Sequence, residues 1–180
     1  MLWSYLYLAG AGLMLMVWLV YRTLLRQLQV LPVGRFLPRT SLLLCMGGLP
    51  VLAALGLGPR WLPLELPPLL APAASLLLAY AVWLFWRSLH DVLLPPARLL
   101  QGGVYQRIRH PLYAALWLAA LAQLLLLQDG VMGGAGILAL LLSYGRSVRL
   151  EEGQMQQWFG DSYRQYMQRT GRLWPRGLAS

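Results

Sequence analysis

A polar stretch separates two long apolar runs in the second half of the chain, and it reads Gly102-Gly103-Val104-Tyr105-Gln106-Arg107-Ile108-Arg109-His110-Pro111-Leu112-Tyr113. A second polar stretch, residues 146–176, follows the last apolar run and contains Glu151 and Glu152. The chain between them is apolar and long enough to fold into a helical hairpin. We therefore expect the two polar stretches to meet at one face of a membrane.

The composition indicates an integral membrane protein. Of the 180 residues, 58% are hydrophobic and 12% are charged, and the apolar residues form near-continuous blocks instead of core-forming periods. The net charge of +9 would suggest a nucleic-acid partner in a soluble domain, but all fifteen basic residues are arginines placed between apolar blocks, so membrane topology explains them better. With one cysteine, Cys45, and two histidines, we expect neither a disulfide framework nor a metal site.

Five apolar segments are predicted to span the membrane as helices, at residues 3–21, 41–57, 68–86, 112–128 and 131–145. Gln128-Asp129-Gly130 reads as a tight turn, so the last two segments form a hairpin. Four small residues, Gly130, Gly133, Gly134 and Gly136, are predicted to allow close helix contact, and Gly130 and Gly134 have the G-x-x-x-G spacing. The predicted fold is all-α: a polytopic membrane helix bundle of about five transmembrane helices with a cytoplasmic helical C-terminal segment. Gly160 is predicted to interrupt that segment.

Arginine placement predicts the orientation. With the N-terminus outside, 14 of the 15 arginines lie in inner segments and only Arg60 lies outside. Both polar stretches are then cytoplasmic.

The first polar stretch has the chemistry of an anion-accepting corner. Pro111 suits the first residue of a helix, which places His110 at the cap position beside free backbone N–H groups, within reach of Arg109. Tyr105 and Tyr113 add flat faces with polar tips. The alternative is ordinary, because arginines and tyrosines at an inner membrane boundary commonly serve as interfacial anchors.

The second polar stretch contains a carboxylate pair close to the lipid boundary, where acids must be solvated, paired or facing a ligand. Arg149 and Glu152 are three residues apart, so the helix spacing predicts a surface ion pair between them. Glu151 is predicted to project from another face, toward Tyr144 and Ser147. The remainder of this stretch, taken alone, is also typical of a membrane-surface anchor.

Together the two stretches resemble the isoprenylcysteine carboxyl methyltransferase family. The resemblance covers roughly residues 97–176 and rests on two motifs, which read Gly103-x-Tyr105-x-x-x-Arg109-His110-Pro111-x-Tyr113 and Glu151-Glu152-x-x-Met155-x-x-x-Phe159-Gly160-x-x-Tyr163-x-x-Tyr166. It implies a single domain over residues 1–180, with a variable transmembrane part at 1–96 and a cofactor-binding and catalytic part at 97–176. It also implies a multi-pass protein of a bacterial inner membrane with its active site on the cytoplasmic face.

The resemblance implies S-adenosylmethionine as methyl donor and a lipophilic, isoprenoid-like acceptor that enters from the bilayer, with the carboxylate of a prenylated cysteine as the foremost candidate. The residues implied to contact the cofactor are Leu99, Leu100, Tyr105, His110, Pro111, Tyr113 and Glu151. Relatives have an arginine four residues before the first glutamate, where this chain has Ser147. We therefore assign the acceptor-holding role to the flanking arginines, Arg146 first and Arg149 second.

Three alternatives stay open from the sequence. The acceptor is a lipid amine or thiol, the protein is a related membrane reductase that uses a nicotinamide cofactor, or it is a non-catalytic membrane scaffold.

Overall fold

The computed structural model describes residues 2–27, 40–57, 61–93, 99 and 101–176. Most of these residues are helical, and no β-strand occurs among them. The helices are α1 (Leu2–Gln27), α2 (Thr40–Leu43), a π-helical segment (Leu44–Gly48), α3 (Leu49–Ala54), α4 (Leu70–Val92), a short 3-10 helix (Gly103–Gln106), α5 (Pro111–Leu127) and α6 (Ala135–Arg169). The all-α prediction is confirmed.

Among the described helices, two are long and apolar enough to cross a membrane, at Leu2–Leu24 within α1 and at Leu70–Val92. The other three predicted spans are helical over shorter apolar lengths: Leu44–Ala54, Pro111–Leu127 and the first part of α6. The prediction of five spans therefore stays a prediction.

Small side chains allow the central helices to approach closely. α4 contributes Ala74 and Ala81 to the core, and α5 contributes Ala115, Ala119 and Ala122, all of them buried. α4 and α5 share the most extensive contact among the described elements, and α1 packs across both. Many leucines point outward instead of into this core, as expected where the surrounding solvent is lipid.

Gln123 on α5 joins four elements from inside the bundle. Its buried side chain donates from Nε2 to the carbonyls of Cys45 (2.9 Å) and Met132 (2.7 Å), and its Oε1 accepts from the Tyr7 hydroxyl at 2.8 Å. The Cys45 carbonyl is available because the π-helical segment shifts the backbone register and Pro50 has no N–H to donate. A polar residue in the middle of an apolar run is thus fully satisfied.

The turn between α5 and α6 is tight, as predicted, but it is longer than expected. Gln128 adopts a left-handed conformation, and Asp129 Oδ1 accepts from the N–H groups of Val131 (2.9 Å) and Met132 (2.8 Å). α6 begins only at Ala135, so Gly130 and Gly134 belong to the turn, and the Gly134 N–H donates to the Gly130 carbonyl at 3.2 Å. The prediction that these two glycines form a helix-contact face is wrong.

The prediction of close helix contact is confirmed at Gly136, two residues after Gly134. A Cβ there would lie 2.8 Å from Gln123 Oε1 and 3.2 Å from the Met46 side chain. Further along α6 the backbone leaves helical geometry at Gly160 (φ 50°, ψ −124°), which confirms the interruption predicted there. The segment after Gly160 buries Tyr163 and Tyr166.

Candidate active site

Backbone pairing brings the two polar stretches together. The chain before α5 runs parallel to the segment after α6, with a bridge between Ile108 and Gly171. The Arg109 N–H donates to the Gly171 carbonyl at 2.8 Å, and the His110 N–H donates to the Arg172 carbonyl at 3.0 Å. The prediction that the two stretches meet is therefore confirmed at the level of backbone contacts.

Glu152 is the anion at the centre of an ion-pair cluster, which comprises Arg109, His110, Glu151, Glu152 and Arg172. The Arg172 guanidinium binds both of its oxygens, with Nη2 2.7 Å from Oε2 and Nε 3.2 Å from Oε1. Arg109 Nε lies 3.3 Å from Oε1 and His110 Nε2 lies 3.4 Å from it. Burial opposes ionisation of Glu152, but the hydrogen bonds from His110 and Arg172 lower its pKa to about 2.

His110 lies between the two glutamates. Its Nδ1 is 3.2 Å from Glu151 Oε2 and its Nε2 faces Glu152, so both ring nitrogens must carry a proton to donate. Burial disfavours the charged ring, but the hydrogen bonds that it donates to Glu151 and Glu152 outweigh this effect and raise the pKa of His110 above its ordinary value. The cluster thus contains three cations and two carboxylates.

Arg109 also fastens the segment that follows α6. Its Nη1 donates to the carbonyl of Met167 at 2.8 Å and to that of Thr170. The Arg109 side chain therefore pairs with the charge of Glu152 and also holds the backbone turn that brings Arg172 to Glu152.

Glu151 lies at the edge of the ion-pair cluster. Its side chain is 19% exposed, whereas that of Glu152 is 8% exposed. Its Oε1 accepts from the Tyr113 hydroxyl at 3.0 Å. Tyr113 in turn begins an aromatic cluster with Tyr144 and Trp117. The rings of Tyr113 and Tyr144 lie 5.5 Å apart and those of Trp117 and Tyr144 lie 6.3 Å apart, both pairs edge to face.

A buried carboxylate on α4 shapes the loop below the cluster. Asp91 accepts from the Val104 N–H at 2.9 Å and pairs with Arg87 at 3.1 Å. Gly103 passes over it with φ at 57°, so close that a Cβ would lie 1.9 Å from Asp91 Oδ2. The loop then buries Tyr105, whose carbonyl accepts from the Tyr166 hydroxyl at 2.6 Å. Burial is the main reason that the pKa of Tyr105 rises above its ordinary value.

The sequence-predicted site residues fall into two groups. His110, Tyr113 and Glu151 are in direct contact, Pro111 begins α5 beside them, and Tyr105 lies buried in the adjoining loop. Leu99 is half-buried and no contact of it is described, whereas Leu100 lies outside the described residues.

The two arginines assigned to the acceptor point elsewhere. Arg146 and Arg149 are exposed, while Ser147 between them is buried. The predicted ion pair between Arg149 and Glu152 is wrong, because Glu152 is buried and its carboxylate is bound by the ion-pair cluster, whereas Arg149 is exposed. The role of Arg146 and Arg149 toward an acceptor stays a prediction.

Sequence reasoning missed three contributors. Neither motif includes Arg172, Asp91 or Trp117. Asp91 carried a usable signal, since an acid at the end of an apolar helix is costly unless something pairs with it, and Arg87 precedes it by one helical turn. The described residues contain no group of three or more His, Cys, Asp or Glu side chains suited to a metal ion.

An apolar cavity of about 570 Å³ lies between α1, the π-helical segment, α4 and α5. Its walls are almost wholly apolar and include Met14, Trp18, Met46, Phe85 and Leu116. Leu116 lies three residues after Tyr113 on α5, so one helix carries both a wall of this cavity and part of the polar site.

Comparison with protein-family models and with curated proteins found no match to this chain.

Proposed function

We propose that this protein is an integral membrane methyltransferase that uses S-adenosylmethionine to methylate a lipophilic acceptor, as in the isoprenylcysteine carboxyl methyltransferase family. One observation carries the proposal. The halves of the motif, Arg109-His110 and Glu151-Glu152, are 42 residues apart in sequence yet form a single ion-pair cluster. Independent anchors at a membrane surface have no need to assemble in this way.

The chemistry of the side chains suits the donor. Glu151 retains exposure and is an acceptor for ammonium or ribose hydroxyl groups. The positive end of α5 and the cations of the cluster suit a carboxylate, and the aromatic cluster offers flat apolar walls. When bound, S-adenosylmethionine supplies an electrophilic methyl group on a positively charged sulfur.

The residues of this chain contribute alignment more than acid–base chemistry. Glu152, with its pKa near 2, stays ionised at neutral pH and is a poor proton acceptor. His110 is held as a cation by both glutamates. A carboxylate acceptor is already ionised and needs no general base. Holding two reactants in position contributes on the order of 7–11 kcal/mol in well-oriented reactions.

The apolar cavity supports the lipophilic character of the acceptor. It offers about 570 Å³ between helices that expose apolar side chains outward. A hydrocarbon chain gains roughly 0.8 kcal/mol for each CH₂ that it buries from water.

Binding of S-adenosylmethionine to purified protein tests the donor assignment. We expect Glu151→Gln and His110→Ala each to weaken binding by roughly tenfold or more, since a hydrogen bond to a charged group contributes about 1.5–3 kcal/mol. Calorimetry in detergent micelles measures the dissociation constants. Asp161→Asn is the matched control, because it removes a carboxylate whose side chain is 85% exposed, and it should bind like wild type.

Two results would contradict the donor assignment. Wild-type affinity in both site variants would remove these residues from the site, and competition by a reduced nicotinamide dinucleotide would favour a reductase. Incorporation of labelled methyl groups into a prenylated cysteine, set against lipid amines and thiols, then identifies the acceptor class.

The proposed topology has five spans with the N-terminus outside and the ion-pair cluster on the cytoplasmic face. Burial supports a membrane location, because only 11% of the apolar window in α1 and 33% of that in α4 is buried, whereas the core helix of a soluble protein is mostly buried.

Single cysteines introduced in a Cys45→Ala background test this topology. An impermeant maleimide should label Trp61→Cys in intact cells, and it should label Gln165→Cys only after permeabilisation. Both positions are exposed. Labelling of both from the same side would exclude the arrangement.

A further inference from the structure

We propose that the aromatic cluster of Tyr113, Trp117 and Tyr144 is the binding surface for a positively charged, methylated centre, namely the sulfonium of the methyl donor. The identity of this ligand rests on the proposed function. The surface itself is inferred from the geometry of the three rings, the carboxylate beside them and an unpaired indole N–H.

The three rings lie on two neighbouring helices. Tyr113 and Trp117 lie one turn apart on α5, and each is nearly perpendicular to Tyr144 on α6, at interplanar angles of 72° and 79°. Trp117 and Tyr144 are half-buried. Aromatic faces carry negative potential, and a cation within about 6 Å of a ring centroid is attracted to it, more strongly where water is excluded.

A carboxylate adjoins the rings and offers a counter-charge for a cation. Glu151 Oε1 accepts a hydrogen bond from the Tyr113 hydroxyl at 3.0 Å, which places a carboxylate against the edge of the aromatic cluster. Arg109 and Arg172 also act on Tyr144, but both of these arginines bind Glu152. His110 faces both glutamates, and its ring centroid lies 6.0 Å from that of Tyr113.

Trp117 supplies an independent sign that a ligand belongs here. Its indole Nε1 is buried and has no hydrogen-bond partner among the described residues. A buried indole N–H usually finds an acceptor, and leaving it unpaired is costly. A bound ligand with hydroxyl or carboxylate oxygens would provide one.

The position also suits methyl transfer. Trp117 and Tyr144 lie on the membrane side of the ion-pair cluster along α5 and α6, and Leu116, next to Trp117, lines the apolar cavity. A cation held by the rings would therefore lie between the polar site and the apolar interior, where a lipophilic acceptor would approach it.

Comparison of a charged with an uncharged ligand tests the proposal. S-adenosylhomocysteine lacks the methyl group and the positive charge of S-adenosylmethionine but is otherwise the same molecule. We expect wild-type protein to prefer the charged form, and Trp117→Leu and Tyr144→Leu to reduce that preference by about 3- to 30-fold, the range of measured cation–π energies. Affinity for the uncharged form should change less than twofold in Tyr144→Leu, whereas Trp117→Leu also removes the indole N–H and should weaken both forms, the charged one more. Tyr144→Phe keeps a ring and should retain the preference.

A small probe separates this proposal from the proposed function. In protein with ¹⁵N-labelled tryptophan, trimethylsulfonium chloride should shift the indole N–H signal that disappears in Trp117→Leu, and sodium chloride at equal concentration should not. If both adenosyl ligands fail to bind but the shift occurs, the methyltransferase proposal falls and the cation surface stands. If both ligands bind and the leucine variants weaken them equally or leave them unchanged, the rings are interfacial anchors and the cation surface falls.

Discussion

Glu152→Gln is expected to destabilise the protein by about 3–5 kcal/mol, the usual cost of removing one partner from a buried ion pair. The substitution keeps the size of the side chain and removes its charge. Arg109, His110 and Arg172 would then face each other with Glu151 as the remaining anion of the ion-pair cluster. Because Arg172 and Arg109 hold the segment after α6 to the chain before α5, the two polar stretches should separate.

Asp161→Asn is the control for loss of a carboxylate. Asp161 forms an exposed pair with Arg164 at 3.2 Å, and such surface pairs contribute about 0–1 kcal/mol. Unfolding in mixed micelles, followed by circular dichroism, measures both variants. If the two lose equal stability, the ion-pair cluster does not hold the two polar stretches together, and the case for Glu152 as its central anion is lost.

Local chemistry made some features predictable. Proline at the first helical position set the start of α5 at Pro111, and glycine set the interruption of α6 at Gly160. The meeting of the polar stretches followed from chain reversal alone, because a hairpin returns the chain to the side where it began.

The partners of Glu152 could not be predicted, because they are determined by tertiary contacts. A helix-local rule selects Arg149 at i−3, but Glu152 lies on the buried face of α6 and Arg149 on the exposed one. Arg172 reaches Glu152 only because the chain folds back after Thr170. The residue pattern within α6 gives no indication of this chain reversal.

The π-helical segment was unpredictable for a similar reason. A single proline, Pro50, is compatible with a simple kink. The segment is instead stabilised by acceptor carbonyls that point at Gln123 and Tyr7, which lie 78 and 39 residues from their partners. Polar residues inside apolar runs are therefore informative about where helices cross, but they do not identify the partner.

Gly103→Ala is expected to destabilise the loop below the ion-pair cluster by about 2–5 kcal/mol. Its left-handed conformation, with φ at 57°, costs an alanine roughly 1–2 kcal/mol. The added Cβ would also meet Asp91 Oδ2 at 1.9 Å and force that buried carboxylate away from the Val104 N–H. An unpaired buried group costs about a further 1–3 kcal/mol. Tyr105, and the hydrogen bond its carbonyl accepts from Tyr166, would shift with the loop.

The neighbouring glycine provides a matched control. Gly102 has φ at −92°, which any residue adopts, and a Cβ there would meet no described atom within 4 Å. Gly102→Ala should therefore change stability by less than about 0.5 kcal/mol, as surface substitutions usually do. Thermal unfolding of both variants, together with their affinity for S-adenosylmethionine, measures the difference. Equal melting temperatures for the two alanine variants would mean that Asp91 does not hold the loop in this conformation. The argument that the loop places Tyr105 beside the candidate site would then fail.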